Sequence, residues 1–555
     1  MPKLNTQTKL LILIFLLAFF LRTYRLSTFP YGFHADEVRV GWNAYSILKT
    51  GLDDRGNRLA LYYNTFGDFR PTGIFYLTIP SIAIFGTNEF AVRFPSALFG
   101  ALTVFPLYLF VKELRKKGKL SINHQPFAII AGLLLAISPW HISVSRATSE
   151  VVIALFLALF GLYLLLKGLN EKRVKNFLLS FVLLGASYLF YHSARLFVPL
   201  SVFSILIFYL KEIKKQKLTK IVFLIFAGLS LLTLLFASNK QARGRFSQVS
   251  IFNDLDIQYE LTRMPFEEGP NKVFIARLFH NKPSVYARRF INEYTKYFSS
   301  NFFLESTTPK PARYQTVGIG LLTYVEVFLF ILGLIVIAKG QASSLPLWFL
   351  LLASIPAALT TEDSPNLHRA LFMLPFISII SAYGFSYLQG ITKKERIITN
   401  FAFLLLTLNL IFFLHMYFVH NKVHLPLYRN VGAKELALYL NEVQDSYDKI
   451  ILTNIPDDPY PWIAYFTDQD PEAFNKDAVA RELGVWSHKN FVFTGQRCPS
   501  RDAFEKPDVK RLLVVDAEGC ATESNLKKRS DVIILERILR PDESEVYTLW
   551  SRIEE

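Results

Sequence analysis

The sequence has few charged residues, few cysteines and no nucleotide-binding loop. Only 19% of its 555 residues are charged, whereas about 25% is usual in soluble proteins. This shortage excludes an ordinary soluble enzyme and a disordered chain. The two cysteines, Cys498 and Cys520, form no CxxC motif, which excludes zinc-finger and thioredoxin-like sites. Neither GxxxxGKS/T nor a strand-borne GxGxxG is present, so we expect no nucleotide-phosphate site.

Hydrophobic residues are abundant instead. They make up 52% of the chain, its mean hydropathy is +0.28, and they recur in runs long enough to cross about 30 Å of hydrocarbon. The net charge of +16 is spread between these runs, so it indicates membrane topology and not nucleic-acid binding. We predict eleven transmembrane helices, at about 5–25, 91–111, 126–140, 149–167, 174–192, 196–210, 220–238, 316–338, 344–360, 370–389 and 397–420.

The distribution of Lys and Arg among the loops sets the predicted orientation. The apolar stretch 72–86 contains Pro80 and is short for a span, so we interpret it as an interfacial or re-entrant helix. The basic loops then fall on one side, as the positive-inside rule requires. We therefore predict an integral protein of the cytoplasmic membrane with a cytoplasmic N-terminus. The segments 26–90, 239–315 and 421–555 are predicted to lie outside.

A change of composition after residue 420 divides the chain into two predicted domains. Residues 1–420 form the transmembrane domain. The C-terminal segment has a helical pattern at 433–443 and β-type runs at 449–454, 490–495, 511–517 and 531–536. The predicted fold class is therefore mainly α, polytopic, with a small extracytoplasmic α/β domain at 421–555. Both cysteines lie in this domain, where a disulfide can persist, and the sequence leaves their pairing open.

Five predicted outer turns carry ionisable side chains close to the ends of the spans. Such groups at the edge of the hydrocarbon are costly and usually need a partner or a function. As alternatives, the arginines extend toward water, or Arg146, Glu150 and Arg195 form internal ion pairs. The candidate residues are Asp36, Glu37, Asp68, Arg70, His141, Arg146, Glu150, His192, Arg195, His368 and Arg369.

Carboxylates and arginines at one membrane face suit transfer of a group from a lipid phosphate. A carboxylate pair can act as a general base or hold a divalent cation. Arginines can bind a phosphate through bidentate, charge-assisted hydrogen bonds and stabilise it as a leaving group. The only cofactor considered is a divalent metal ion, whose candidate ligands are Asp36, Glu37 and Asp68, although no HxxxH-type spacing demands one.

Several segments resemble the GT-C glycosyltransferases. They are the Asp36-Glu37 pair soon after the first predicted span, the Arg70-Pro71 pair and the segment NEFAVRFPSALFGALTVFPLY at 88–108. More narrowly, they are similar to the protein O-mannosyltransferase and aminoarabinose transferase superfamily, often called glycosyltransferase family 39-like. The turns SPWHISVSRATSE, YHSARLFVPL and HRALFMLP add to the resemblance, which covers residues 1 to about 390.

The resemblance implies inverting transfer of a sugar, a hexose or a pentose, from a polyprenyl-phosphate-linked donor to a lipid, glycan or protein acceptor outside the cytoplasm. It implies that Asp36 is the catalytic base, that Glu37 supports it and that Arg70 contacts the donor phosphate. Arg70 stands where the family usually has Lys. We add Arg195 and Arg369 as phosphate ligands. The expected substrate-binding residues are Asp68, His141, Arg146, Glu150, His192 and His368.

Two other classes of protein remain as alternatives. A secondary transporter would place charged or broken-helix features near the bilayer midplane, whereas the charges here lie at one end of the apolar runs. A binding or ligase-type membrane protein would recognise a lipid-linked glycan without activating a sugar carbon. The sequence separates this last class from a transferase poorly, because both would need the same phosphate ligands.

Overall fold

The structure of the chain is a computed structural model. It describes residues 5–65, 68–115, 127–215, 218–239, 248–269, 272–391, 395–454, 458–467, 469–478, 484–505, 509–520 and 526–552. Contacts between residues divide the chain into two units. The first unit comprises Met1–Tyr24, Leu61–Gly73 and Ser96–Met416, and the second comprises Arg25–Ala60, Ile74–Pro95 and Tyr417–Glu555.

The elements up to the end of the apolar region are mostly helices, with one antiparallel hairpin of two strands, β1 (Tyr62–Thr65) and β2 (Asp68–Pro71). The helices are, in chain order, α1 (Thr6–Thr23), α2 (Ala35–Thr50), α3 (Gly73–Phe85), α4 (Glu89–Leu102), α5 (Val104–Arg115), α6 (Phe127–Ile137), α7 (Pro139–Arg146), α8 (Glu150–Glu171), α9 (Val174–Ser187), α10 (Ala194–Phe208), α11 (Leu210–Lys215), α12 (Thr219–Ser238), α13 (Leu255–Thr262), α14 (Met264–Glu267), α15 (Val273–Phe279), α16 (Lys282–Lys296), α17 (Ser300–Leu304), α18 (Tyr324–Ala338), α19 (Leu345–Ala353), α20 (Ile355–Ala358), α21 (Leu374–Ile391) and α22 (Glu395–His415).

Within the described residues, six helices are long and apolar enough to cross a membrane. They extend over Thr6–Thr23, Glu89–Leu114, Glu150–Glu171, Lys220–Ser238, Leu371–Gln389 and Arg396–His424. The pair α6 and α7 is bent by 52° and makes a seventh if it is one span. The four other predicted spans fall on shorter apolar helices, and so does the stretch 72–86. Every predicted span thus overlaps an apolar helix. The span predicted at 316–338 is helical only from Tyr324, because Thr323 caps the start of α18. The number of helices that cross and their orientation stay predictions.

The bend between α6 and α7 has a local cause. Pro139 begins α7, and Ser138 is its N-cap, whose hydroxyl accepts a hydrogen bond from the backbone N–H of His141 at 3.4 Å. Proline is favoured in the first turn of a helix but cannot continue the preceding one. The last carbonyl groups of α6 therefore need partners from elsewhere in the chain.

Helices α18 and α21 cross at two glycines. A Cβ atom added at Gly333 would lie 1.8 Å from the carbonyl oxygen of Ile380. A Cβ atom added at Gly384 would lie 2.0 Å from the carbonyl oxygen of Leu329. Small residues at a crossing let two backbones approach closely, which is a main source of helix packing in membranes.

Gly333→Ala and Gly384→Ala are each expected to destabilise the protein by about 1–3 kcal/mol or more, because the added methyl group overlaps a backbone carbonyl. Thermal unfolding of the detergent-solubilised protein measures the loss. The matched control is Gly185→Ala in α9, where the added Cβ would lie 3.6 Å from Leu232 Cδ1, an ordinary contact. Equal unfolding temperatures for all three variants would contradict the close crossing.

The C-terminal part of the second unit contains a mixed six-stranded sheet with the strand order β4-β5-β3-β6-β8-β7. Strand β3 is parallel to β5 and β6, and the other pairs are antiparallel. All six residues of β6 are buried, as expected for a central strand covered on both faces. The elements are α23 (Asn421–His424), α24 (Ala433–Val443), β3 (Lys449–Thr453), α25 (Tyr460–Phe466), α26 (Pro471–Ala478), β4 (Trp486–His488), β5 (Phe491–Thr494), α27 (Ser500–Ala503), β6 (Leu512–Ala517), β7 (Val532–Leu539) and β8 (Glu545–Arg552).

The predicted α/β character of the C-terminal segment is confirmed. The helix at 433–443 and the four β-type runs correspond to α24, β3, β5, β6 and β7. The short strand β4 and the last strand β8 are not among the predicted strands. Cys498 and Cys520 form a disulfide with an S–S distance of 2.06 Å, which answers the question that the sequence left open.

Candidate active site

Asp36, the predicted base, lies in the first turn of α2. His34 is the N-cap of this helix, and its Nδ1 accepts a hydrogen bond from the backbone N–H of Asp36 at 3.0 Å. The same nitrogen lies 3.7 Å from Asp36 Oδ2, and the Asp36 side chain is 24% exposed. A helix N-terminus stabilises a negative charge. The structure therefore holds a partly exposed carboxylate at the positive end of the dipole of α2.

Glu37 is buried and ion-paired, although it directly follows Asp36. Arg93 binds both of its carboxylate oxygens, with Nε 3.0 Å from Oε1 and Nη2 3.2 Å from Oε2. Arg429 Nη2 also donates to Oε2. The backbone N–H of His34 donates to the same oxygen at 3.2 Å, which completes a capping box. These contacts favour a supporting role for Glu37.

Across the described ranges, no group of three or more His, Cys, Asp or Glu side chains is arranged to hold a metal ion. The carboxylate of Glu37 is bound by two guanidinium groups, whose positive charges oppose a further cation. The backbone of Asp68 lies in β2, and its side chain is outside the described part. We therefore derive no step through a metal.

In the first unit, Arg22 and Arg146 each bind carbonyl oxygens at the end of a helix. Arg22, in the last turn of α1, donates to the carbonyl oxygen of Ala136 in α6 at 2.9 Å. Arg146, the last residue of α7, donates to the carbonyl oxygens of Leu21 and Tyr24 at 2.8 Å each. The final carbonyls of a helix lack partners within it and form the negative end of its dipole. Arg22 thus caps the C-terminal end of α6, and Arg146 caps that of α1.

His141 belongs to the same buried cluster. Its Nδ1 lies 2.7 Å from Arg22 Nη2, and its side chain is fully buried. The predicted substrate-binding role of His141 and Arg146 stays a prediction, but these contacts favour the alternative of an internal role. The partners of Arg146 named above are backbone carbonyls and not the carboxylate considered from the sequence.

Arg146→Met is expected to lower the unfolding temperature without weakening the binding of a polyprenyl phosphate, the donor lipid that the family resemblance implies. The substitution leaves two carbonyl oxygens without their guanidinium donors, and a buried unsatisfied group costs about 1–3 kcal/mol. Arg22→Met should act in the same direction, because it removes the donor to α6. Thermal unfolding and lipid-phosphate binding, both in detergent, measure the two effects. A stable Arg146→Met protein with weakened binding would show instead that Arg146 is a ligand.

The hairpin that carries Arg70 packs against the turn that carries His192 and Arg195. The rings of Tyr62 and His192 are stacked with centroids 6.2 Å apart. His192 Nε2 lies 3.3 Å from the carbonyl oxygen of Phe69, which precedes Arg70 on β2. The Arg195 guanidinium lies 5.3 Å from the centre of the Tyr62 ring. The structure thus brings the strand of Arg70 to two other predicted site residues.

Arg195 is almost completely buried. Its Nη1 lies 2.9 Å from His192 Nδ1, and its Nη2 donates to the carbonyl oxygen of Tyr188 at 2.9 Å. Its guanidinium also lies 4.4 Å from the centre of the Phe236 ring. None of these three partners is a carboxylate, so they fix the guanidinium without neutralising it. A fixed, positively charged guanidinium suits a phosphate.

His368 joins three of the predicted outer turns. Its Nε2 lies 2.9 Å from Ser149 Oγ, and its Nδ1 lies 3.2 Å from the hydroxyl of Tyr191. Ser149 and Tyr191 directly precede the predicted site residues Glu150 and His192. Residues far apart in sequence therefore converge on one buried histidine within the first unit.

Arg369 is bound within its own turn. Its Nη2 donates to Glu362 Oε2 at 2.5 Å, and its Nη1 donates to Thr360 Oγ1 at 2.9 Å. A guanidinium that already has a carboxylate partner is a weaker ligand for a second anion. Of these two predicted phosphate ligands, the contacts therefore favour Arg195 over Arg369.

The candidate residues are divided between the two units. Asp36 and Glu37 belong to the second unit, whereas Arg70, Arg195 and His368 belong to the first. Each group is defined above by its own contacts. Convergence of the carboxylate and the arginines in one pocket stays a prediction.

Several side chains of these clusters are not among the predicted site residues. They include two with a signal in the sequence, Arg93 and Arg22, since each interrupts or ends an apolar run. Arg429 lies in a polar stretch after the last predicted span and carries no such signal. The aromatic partners Tyr62 and Tyr191 share no sequence pattern that distinguishes them from other tyrosines.

Comparison with known sequences identifies a related family. The family described as dolichyl-phosphate-mannose-protein mannosyltransferase matches residues 70–237. A putative mannosyltransferase of Bacillus subtilis, YycA, is 27% identical over 188 residues, which are 32% of this chain and 24% of that protein. The match thus spans about a quarter of this curated relative. The resemblance that we predict from the sequence is confirmed over this segment.

Two solved structures are similar in outline. The archaeal oligosaccharyltransferase AglB from Archaeoglobus fulgidus, in complex with an inhibitory peptide and a dolichol-phosphate, covers 92% of this chain and 69% of its own at 13% identity and a TM-score of 0.49. ArnT from Cupriavidus metallidurans, bound to undecaprenyl phosphate, covers 98% and 97% at 11% identity and a TM-score of 0.49. Both TM-scores are below 0.5.

Proposed function

We propose that the chain is a membrane glycosyltransferase that moves a hexose or pentose from a polyprenyl-phosphate-linked donor to an acceptor outside the cytoplasm. One observation carries this proposal. The segment 70–237 matches a family named for a dolichyl-phosphate-linked mannose donor, and this segment contains both Arg70 and the turn of His192 and Arg195 that packs against its strand.

The arginines supply the donor site in this proposal. Arg70 and Arg195 bind the phosphate that links the sugar to the polyprenyl chain. Because the side chain of Arg195 is fixed by His192 and by the Tyr188 carbonyl, little ordering is needed when the phosphate binds. Positive groups held in place before the reaction stabilise the charge that develops on a leaving phosphate. His368 and His192 line the sugar side of the same cluster.

Asp36 supplies the base. It takes the proton from an acceptor hydroxyl, whose oxygen attacks the anomeric carbon on the face opposite the phosphate. The new glycosidic C–O bond forms while the sugar–phosphate bond breaks, and the electron pair leaves with the polyprenyl phosphate. A single displacement of this kind inverts the anomeric configuration. The acceptor is a lipid, a glycan or a protein, and the site and the segment 421–555 face outward from the cytoplasmic membrane.

Turnover of a labelled donor tests the proposal. Purified protein in liposomes is supplied with a bacterial membrane extract as the source of lipid, glycan and protein acceptors. The donor is undecaprenyl-phosphate mannose carrying a radiolabel in the sugar or, in parallel, the arabinose analogue. We expect protein-dependent loss of label from one of these lipids, with inverted anomeric configuration in the product. Binding of undecaprenyl phosphate without loss of label from either donor would contradict a transferase and support a lipid-linked glycan binding protein.

A further inference from the structure

The first turn of α2 is held by two residues that are far away in the sequence, Arg429 and Asn430. The Oδ1 atom of Asn430, 395 positions later, accepts a hydrogen bond from the backbone N–H of Ala35 at 3.0 Å. The side chain of Arg429 donates to Glu37 Oε2 across 392 positions. Ala35 and Glu37 are the two residues on either side of Asp36. The C-terminal segment therefore contacts the chain immediately before and immediately after the proposed base.

The backbone around these contacts is shaped for close approach. Asn430 has a positive φ of 53°, which asparagine tolerates better than most residues. Gly32 also has a positive φ, of 86°, and a Cβ atom added there would lie 2.7 Å from the carbonyl oxygen of Arg429. A side chain at residue 32 would thus push the turn of Arg429 away from the start of α2.

Further contacts extend along α2. Trp462 Nε1, in α25, donates to the carbonyl oxygen of Phe33 at 2.9 Å. Trp42 Nε1 donates to Asn475 Oδ1, in α26, at 2.9 Å. The ring of Tyr465 lies so close to Gly41 that an added Cβ atom would be 2.9 Å from its Cε2. The helices that flank the six-stranded sheet therefore pack along α2 from its start to its middle.

The contribution of Arg429 differs from that of Arg93. Arg93 binds both oxygens of Glu37 and also donates to the carbonyl oxygens of Leu26 and Gly32, at 3.1 and 2.6 Å. Without Arg429, Glu37 keeps Arg93 and the N–H of His34 as partners. Loss of Arg429 alone should therefore loosen the turn that carries Asp36 without leaving a buried carboxylate unpaired.

We propose that Arg429 and Asn430 are positioning residues for Asp36, so that the C-terminal α/β segment sets the geometry of the base. The inference rests on the proposed function. It assigns to this segment the task of holding the first turn of α2 in the orientation that proton transfer needs. A misplacement of about 1 Å at a reacting group can cost about 100-fold in rate, so a small movement of this turn matters.

The test compares Arg429→Met and Asn430→Gly with the wild-type protein. Asn430→Gly keeps the positive φ and removes the side chain with its Oδ1 acceptor. With the labelled donor in liposomes, we expect kcat to fall about 10- to 100-fold and KM for the donor lipid to change less than about twofold, because the proposed phosphate ligands are other residues. Arg429→Lys should recover part of the rate. Arg511→Met is the matched control, since Arg511 pairs with Asp448 on the exposed surface of the same segment.

A second measurement does not depend on turnover. Hydrogen exchange of the backbone amides at residues 34–38 should be faster in Arg429→Met and Asn430→Gly than in Arg511→Met. Unchanged exchange, or an unchanged kcat beside an active wild type, overturns the inference. A wild-type protein that is inert toward both donors contradicts the proposed function. It also contradicts the role of Arg429 and Asn430 in positioning Asp36 as a base. If Arg429→Met does not fold, the kcat and the hydrogen exchange of Asn430→Gly and Arg429→Lys test the inference instead.

Discussion

Asp36→Asn is expected to lower sugar transfer by about 10²- to 10⁴-fold, the usual contribution of a general base, while the folded protein accumulates at the wild-type level. The amide is similar in size to the carboxylate but cannot accept the proton of the acceptor. The structure gives a second reason for normal folding. The contacts that fix the first turn of α2 are made by His34, Glu37 and the backbone of Ala35, and these remain. Initial rates with the labelled donor measure the effect.

The control for this variant is Asp256→Asn. Asp256 is also an aspartate in the first turn of a helix, α13, and is exposed, so the two substitutions remove the same charge from similar positions. We expect wild-type rates for the control. Wild-type turnover by Asp36→Asn would remove the proposed mechanism, because no other residue is assigned the role of the base.

Glu37→Leu is expected to prevent accumulation of folded protein. The substitution leaves the buried guanidinium groups of Arg93 and Arg429 without their shared carboxylate. Removal of one partner from a buried ion pair typically costs about 3–5 kcal/mol, which is a large part of the stability of most proteins. The yield of monodisperse protein after solubilisation and its unfolding temperature measure the loss. Substitution of Asp36 should thus lower the activity and spare the fold, whereas substitution of the adjacent Glu37 should destabilise the fold.

Glu442→Leu in α24 is the matched control, since Glu442 is exposed. It should leave both the yield and the unfolding temperature near those of the wild type. A Glu37→Leu protein that folds normally but has lost activity would contradict the structural role. It would indicate that Glu37 acts in catalysis.

The sequence predicts the positions of the helices well and their partners poorly. Apolar runs locate all eleven predicted spans on helices, because burial in lipid or protein requires long hydrophobic segments. The runs do not reveal that Pro139 divides one span into α6 and α7, or that Gly333 and Gly384 permit a close crossing. Strand β8, EVYTLWSR, has an irregular mixture of polar and apolar residues. It is a buried strand only because it pairs with β6 and β7.

The site shows the same limit. Charge at the ends of apolar runs predicts where ionisable side chains collect, and the structure gathers His192, Arg195 and His368 into contacting clusters. Apart from the family resemblance, the sequence does not distinguish Asp36 from Glu37. The difference lies in the guanidinium groups of Arg93 and Arg429, 56 and 392 positions from Glu37. The sequence also cannot show that Arg146 donates hydrogen bonds to carbonyl oxygens at the end of α1. Such partners depend on tertiary packing that no local pattern encodes.

The most direct test of the account is an experimental structure of the wild-type protein with undecaprenyl phosphate bound. We predict that the phosphate lies at hydrogen-bond distance, about 3 Å, from the guanidinium groups of Arg70 and Arg195. The carboxylate of Asp36 should face it across a space that one sugar ring fills. A phosphate bound away from both arginines, or an Asp36 carboxylate on the opposite side of the membrane, would contradict the enzyme proposed here.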